Sequence, residues 1–161
     1  MQGDAIMGKN KKFIAEFDEA TGKSFVAMET EVGTATGCAY LHPDDKDVVS
    51  KFQGCRIAEF RAWIAYANEK MKLLRTEIKA LTDLEKIYIS LKDYNKDSLE
   101  GRRLRRRIKE KQAELADYRR RKEIAKKSIR EMIVLYDKKM QKFKKIKGEF
   151  KGDADPVSPL Q

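Results

Sequence analysis

Arginines cluster at two places in the second half of this 161-residue chain. The first cluster holds five arginines within six residues, and the second places three arginines directly before Lys122. A guanidinium binds a phosphate through two parallel hydrogen bonds and keeps its charge at every physiological pH. Residues of this type at this density predict a polyanion-binding surface. The candidate residues are Arg102, Arg103, Arg105, Arg106, Arg107, Arg119, Arg120 and Arg121.

The distribution of charge supports this interpretation. The formal net charge is +10 at pH 7, but from Leu99 to Lys151 there are 21 Lys/Arg against 8 Asp/Glu, a net of +13. The remainder therefore carries a net charge of −3, and such asymmetry predicts an acidic partner for the second half. The sequence has no zinc-finger spacing and no RNA-recognition motif, so we expect phosphate contacts rather than base readout. The alternative is a solvated helix face without a ligand, supported by ion pairs one turn apart.

A second candidate site is a pocket for a small anion. Arg61 lies between Phe60 and Trp63, which predicts partial burial and the need for an anionic partner. Gly54 stands inside an expected helix, where it costs about 1 kcal/mol relative to Ala, so a strand or a ligand should approach it closely. The candidate anion-pocket residues are Arg56, Arg61 and His42, with a nucleotide-like phosphate or nearby aspartates as the partner.

His42 is the only histidine of the chain, and Asp44, Asp45 and Asp47 follow it. Such a cluster can bind a hard cation or activate water. The same residues also form a turn and cap a helix, and we favour that interpretation. No metal site, cofactor or catalytic residue is therefore predicted, and we do not expect an enzyme.

The cysteines and the hydropathy indicate where the protein works. Cys38 and Cys55 are too few for a disulfide framework and suit a reducing compartment. No apolar stretch follows the first Met, and no run approaches the about 20 apolar residues that span a bilayer. We expect a cytoplasmic protein with no membrane partner.

The first third of the chain predicts a small sheet. Residues 1–11 are expected to be a flexible leader. Alternating apolar and polar residues then indicate three strands, at 12–17, 24–29 and 33–42, with Gly22 free to take positive φ in the first turn. A three-stranded meander is too small to stand alone, so a helix must cover one face. We assign the meander and its junction to residues 12–56.

Apolar residues seven apart predict two long helices, over about 48–92 and 98–147. The first seam consists of Ile57, Ile64, Met71 and Ile78, interleaved with Phe60, Ala67, Leu74 and Leu81. Asp97 is the expected cap of the second helix, and Gly148 its expected end. The short connection forces antiparallel neighbours. The predicted fold class is therefore α+β, a three-stranded antiparallel β-meander followed by an antiparallel helical hairpin (coiled coil) over 57–147, with a disordered tail at 148–161.

One segment resembles a known pattern. Its residues are Gly37-x-Ala39, then His42-Pro43-Asp44-Asp45, then Gly54-x-x-Ile57-Ala58-x-x-Arg61-Ala62. The segment resembles one found in small, uncharacterised proteins of Gram-positive bacteria and their phages, although Leu41 stands where a Cys is usual. The resemblance implies a phage or mobile-element accessory protein that acts in the cytoplasm of a bacterial host cell. Small non-enzymatic proteins of that origin often inhibit host defences.

Three hypotheses for function remain open at this point. The first is an anti-defence (anti-CRISPR-like) inhibitor that binds nucleic acid or a nucleic-acid-loaded effector through the basic helix. The second is a sponge that sequesters a nucleotide-like immune signal at a sheet–helix or dimer-interface pocket. The third is a structural coiled-coil oligomer without a ligand. Neither long helix is stable alone in water, so each must bury its apolar seam against the other helix or against a second copy. A homo-oligomer is expected.

Overall fold

The structure of the protein is a computed structural model that describes residues 12–40, 51–91 and 98–154; the side chains of residues 51, 52, 143, 144 and 147–154 are not described. In chain order the elements are β1 (Phe13–Asp18), β2 (Lys23–Thr30), β3 (Gly33–Tyr40), α1 (Lys51–Ser90) and α2 (Leu99–Ala154). A three-stranded antiparallel sheet is thus followed by two long helices, which confirms the predicted α+β class.

The sheet is a simple meander in the order β1-β2-β3. Phe13 pairs with Met28 at one end of the first hairpin, and Thr30 pairs with Gly33 at the second turn. Gly22 adopts a φ of 72°, as expected for the first turn. The Asp18 carboxylate accepts hydrogen bonds from the Thr21 hydroxyl (2.8 Å) and the backbone N–H of Ala20 (2.9 Å). These bonds stabilise its charged form and lower the pKa of Asp18.

Helix α1 packs chiefly over β3 and β2. Small residues make this contact unusually close. A Cβ on Gly37 of β3 would collide with the carbonyl oxygen of Ala58 and the amide nitrogen of Ala62, and both alanines are fully buried. The glycine- and alanine-rich sequence of β3 therefore lets the strand contact the helix backbone.

The predicted close approach at Gly54 is also present. A Cβ at this position would collide with the Ser24 hydroxyl of β2, so the strand, rather than a ligand, occupies the space beside Gly54. Ser24 is itself only 1% exposed. The helix tolerates the conformational cost of glycine because packing against the sheet offsets it.

Trp63 lies at the centre of the core, where the sheet and the two helices meet. It is 1% exposed and packs with Met28 and Ala35 of the sheet and Ala125 of α2. Beside it, the Tyr66 hydroxyl donates a hydrogen bond to Glu31. Burial, together with this bond, raises the pKa of Tyr66.

Two contacts fix the antiparallel register of the hairpin. The Lys111 ammonium lies 3.0 Å from a Glu77 carboxylate oxygen, which raises the pKa of Lys111. The Gln53 side-chain amide donates to the carbonyl oxygen of Met132 over 2.8 Å. Helix α2 continues past this contact from Met132 to Ala154, over about 33 Å at 1.5 Å per residue.

The ends of α2 differ from the sequence-based expectation. The helix begins with a cap from Ser98, whose hydroxyl accepts a hydrogen bond from the Gly101 N–H (3.1 Å); the expected cap, Asp97, lies outside the described residues. The helix also continues through Gly148 to Ala154, so the prediction that it ends there was wrong. A terminating glycine needs positive φ, and Gly148 does not adopt it; without that turn, one glycine costs a helix only about 1 kcal/mol.

The predicted seams are buried where the helices overlap. Ile57, Met71 and Leu74 of α1 are buried, as are Leu104 and Ile129 of α2. Towards the C-terminal end of α2, Met140 is still buried, whereas Ile146 is 55% exposed. None of the helices in the described part of the chain combines the length and apolar character needed to cross a lipid bilayer.

Candidate polyanion-binding surface

The burial of Leu104 sets the direction of the first arginine cluster. Its side chain is 7% exposed, and at 3.6 residues per turn its close neighbours in sequence point away from the seam. Arg102, Arg103, Arg106 and Arg107 are accordingly exposed, whereas Arg105 is half-buried. The structure therefore brings four of the five predicted arginines to solvent on adjoining faces of one helix.

Two of these exposed arginines, Arg102 and Arg106, line a shallow groove of about 560 Å³. Its lining residues are Arg102, Arg105, Arg106, Lys109, Glu110 and Ala113. Lys109 was not among the candidates from the sequence. Its spacing of seven residues from Arg102 and three from Arg106 places all three on one helical face, and that spacing is the signal that could have identified it.

Few carboxylates neutralise this part of α2. Six of the eight residues from Arg102 to Lys109 are cationic, and none is acidic. Arg106 pairs with Glu110 at 2.9 Å, but both side chains are well exposed, so the pair contributes little. Among the residues that the structure describes, no carboxylate lies within 4 Å of Arg102, Arg103 or Arg107.

The second arginine cluster divides into two groups. Arg119 and Arg120 are exposed. The Arg120 guanidinium forms an ion pair with the Asp117 carboxylate, with 2.5 Å between nitrogen and oxygen. Arg121 is half-buried, and its guanidinium carbon lies 5.3 Å from the centre of the Trp63 ring. Such a cation–π contact joins α2 to α1, so Arg121 has a packing role in the hairpin.

Among the described side chains of α2, no aromatic ring is exposed for base stacking. Tyr118 is half-buried and meets Tyr66 edge-on, with ring centres 6.2 Å apart. Tyr136 is half-buried as well. The accessible groups of the basic face are therefore guanidinium and ammonium ions, which suit phosphate contacts.

The residues of the candidate anion pocket are only partly brought together. Arg61 is exposed, so the expected partial burial was wrong, and it donates a hydrogen bond to the Cys38 carbonyl oxygen of β3 at 2.6 Å. The Arg56 guanidinium lies 6.0 Å from the centre of the Phe60 ring. Five positions apart on a helix, the two arginines point about 140° away from each other. His42 lies outside the described residues, as do the aspartates that follow it.

A second groove, of about 310 Å³, runs between β3 and α1. The threonines Thr34 and Thr36 line one side, and Asn68 and Glu69 line the other, without a lysine or arginine among the lining residues. An anion gains no charge-assisted hydrogen bond there. Cys38 and Cys55 are free thiols, and the described residues contain no group of His, Cys, Asp and Glu that could hold a metal ion.

The strongest feature is thus the exposed basic face of α2, which we define as Arg102, Arg103, Arg106, Arg107, Lys109, Arg119 and Arg120. It stands on a helix fixed by its buried seam and is only sparsely paired with carboxylates. No family model, curated protein or solved structure matches this chain.

Proposed function

We propose that this protein is a non-enzymatic binding protein that engages nucleic acid through phosphate contacts on the basic face of α2. The observation that carries the proposal is the exposure of Arg102, Arg103 and Arg107 with no carboxylate nearby among the described residues. An arginine without an intramolecular partner keeps its donors free for a ligand. Several such residues on one rigid helix form a surface that neutralises several phosphates at once.

The form of this surface favours the nucleic-acid backbone over a single small anion. The groove beside Arg102 and Lys109 is shallow and open, and the basic face continues along the helix to Arg120. From Arg102 to Arg120 the helix rises about 27 Å, the length of several successive phosphates. A free nucleotide would use only a small part of this length, whereas a polymer uses all of it.

The resemblance of the segment from Gly37 to Ala62 to small phage proteins supports a setting for this activity. In that setting we propose an anti-defence inhibitor that occupies a nucleic acid or the nucleic acid of a loaded host effector. Binding by charge to a backbone is independent of sequence, which suits an inhibitor that must act on effectors carrying different guides or targets.

The experiment is a titration of fluorescent single- and double-stranded DNA and RNA across a salt series. The test variant changes four exposed arginines, Arg102, Arg103, Arg106 and Arg107, to Gln. The matched control changes four exposed cations of α1, Lys72, Arg75, Lys79 and Lys86, to Gln, for the same change in net charge.

We expect the wild type to bind tightly at low salt and to weaken steeply as salt rises. The slope of log K against log salt should fall by about one for each lost phosphate contact in the test variant. The α1 control should retain the wild-type slope. Absence of binding at low salt, or equal loss in both variants, contradicts the proposal.

One observation favours a second candidate function, a sponge for a nucleotide-like signal. Arg61 is exposed beside β3. Its hydrogen bond to the Cys38 carbonyl uses one guanidinium nitrogen and leaves other donors available to an anion. An Arg61→Ala variant in the same titrations separates the two functions. It should bind nucleic acid as the wild type does, and a free nucleotide that binds the wild type but not this variant would favour the sponge.

A further inference from the structure

Among the residues that the structure describes, no strand pairs with the outer edge of β1. The backbone N–H of Glu29 donates to the carbonyl oxygen of Lys12 at 2.9 Å, which fixes the hydrogen-bonding direction of the strand. Alternate residues of an antiparallel strand point their backbone groups to opposite sides. Lys12, Ile14 and Glu16 thus bond to β2, and Phe13, Ala15 and Phe17 direct their N–H and C=O groups away from the sheet.

Two of the usual protections of an edge strand against pairing are missing from β1. The register of β1 with β2 is continuous from Phe13 to Asp18, without a bulge or a proline. Two large apolar side chains on it, Phe13 and Ile14, are 51% and 62% exposed. An exposed, regular, apolar edge is a template on which another strand adds.

The opposite edge of the sheet is different. Helix α1 packs across β3, and Arg61 already binds the outward carbonyl of Cys38. A strand approaching β3 would have to displace this arginine. Of the two edges, β1 is the one whose outward backbone groups have no partner among the described residues.

We propose that a second copy of this chain pairs with β1, antiparallel and about a two-fold axis at Ala15, to make a continuous six-stranded sheet. The occupant is identified by the complementarity of the strand with itself. About this axis Lys12 lies opposite Asp18 of the second copy, and Phe13 lies opposite Phe17 of the second copy. Each pair occurs twice, so the interface gains two opposite-charge pairs and two aromatic pairs.

Other registers of the β1–β1 pairing are less favourable than the one with its axis at Ala15. Moving the axis to Glu16 places the two Glu16 carboxylates directly opposite each other, and like charges in that position destabilise a sheet. Moving the axis to Ile14 leaves Phe17 and Asp18 without described partners on the other strand. Only the axis at Ala15 pairs every residue from Lys12 to Asp18 with another residue of the same segment.

The first test is sedimentation equilibrium of the full chain across a concentration series. We expect a mass of about twice the 18.7 kDa of one chain. Ala15→Pro removes one outward N–H but leaves the β1–β2 hydrogen bonds intact, since edge strands accept proline on their open side. It should reduce the protein to a monomer with an unchanged far-ultraviolet circular dichroism spectrum. Ala15→Val, which keeps the N–H, should remain dimeric.

The second test locates the interface by a distance. Thr36 is exposed on β3, so a nitroxide label on Thr36→Cys, with Cys38 and Cys55 changed to Ser, reports how the sheets are joined. Five strand spacings separate the two labelled strands in the six-stranded sheet, which gives about 25 Å between the labelled backbones. Joining through β3 instead would bring the labels within about 10 Å.

A monomeric wild type, or a dimer with the short label distance, overturns the proposal. So does a dimer that Ala15→Pro leaves intact. The variant with four arginines of α2 changed to Gln should dimerise normally, because β1 lies in a separate part of the fold. Loss of nucleic-acid binding and loss of the dimer are therefore distinguishable.

Discussion

Gly37 lies where β3 meets the backbone of α1, and the contact exists because this residue has no side chain. The backbone atoms of Ala58 and Ala62 that a Cβ would strike belong to a regular helix and cannot rotate away. A methyl group at this position therefore forces the strand and the helix apart. The separation would also disturb Arg61, which reaches the neighbouring Cys38 carbonyl.

At this scale we predict that Gly37→Ala destabilises the protein. Overpacking of a tight contact costs about 1–3 kcal/mol, and here it also separates the buried Ala58 and Ala62 from the sheet. Urea unfolding followed by circular dichroism measures the loss. Thr36→Ala, on the exposed side of the same strand, is the control and should change stability little. Equal stability of the two variants would contradict the close contact.

The cap of α2 shows how one element positions the functional surface. The Ser98 hydroxyl accepts a hydrogen bond from the Gly101 N–H, and the Ser98 carbonyl accepts one from the Arg102 N–H at 3.0 Å. The first arginines of the basic face therefore stand in the first turn of the helix, where fraying would be greatest without a cap. Order in this turn keeps Arg102 and Arg103 at fixed positions on the surface.

We predict different effects for alanine substitution of the capping Ser98 and of Ser128 inside the helix. Ser98→Ala removes the cap and should lower the free energy of unfolding by about 1 kcal/mol. The Ser128 hydroxyl only bonds the carbonyl of Ile124 within the helix, so Ser128→Ala should be neutral or slightly stabilising. Thermal unfolding of the two variants gives the comparison. A cap without effect would show that the α1 contacts alone hold the first turn.

The sequence predicted the elements well because their signals are local. Seven-residue spacing identified α1 and α2, and alternation identified the strands to within one or two residues, since each pattern depends only on near neighbours. The end of α2 was mispredicted at Gly148, because a glycine ends a helix only when the following chain turns back. That turn is a property of the fold and cannot be read from one residue.

Contacts between residues far apart in the sequence could not be predicted. Glu31 and Tyr66 are 35 positions apart, and nothing in either neighbourhood indicates that they form a hydrogen bond. The sequence placed Arg121 in the exposed basic cluster. In the structure its guanidinium lies against the Trp63 ring, which faces α2 at that position. The arginine positions could be predicted, but their division into exposed and packed residues required the register of the hairpin.

At the scale of the whole molecule, charge opposes stability. From Leu99 to Lys151 the net charge is +13, concentrated on one helix. Cations close together on a surface repel each other, and dissolved salt screens the repulsion over about 10 Å at 0.1 M. In the unliganded protein this electrostatic repulsion lowers stability, and either salt or a bound polyanion reduces it.

We accordingly predict that salt raises the melting temperature of the unliganded protein. Each 1 kcal/mol of relieved repulsion should raise it by about 2–4 °C for a chain of this size. Differential scanning fluorimetry at increasing NaCl measures the rise. The melting temperature of the variant with four arginines of α2 changed to Gln should rise less with salt, since part of the repulsion between its cations is already removed. A melting temperature that falls with salt would mean that attractive ion pairs dominate.

The sheet and the basic helix also carry charges of opposite sign. Residues 12–40 hold two lysines against five acidic residues, a net of −3, beside the cationic α2. The separation gives the molecule a large electric dipole. In the field of a nucleic acid, such a dipole turns the helix towards the phosphates and the sheet away before contact is made. Collisions would then occur in the productive orientation more often than chance allows, and the association rate would exceed that of an equally charged but symmetric protein.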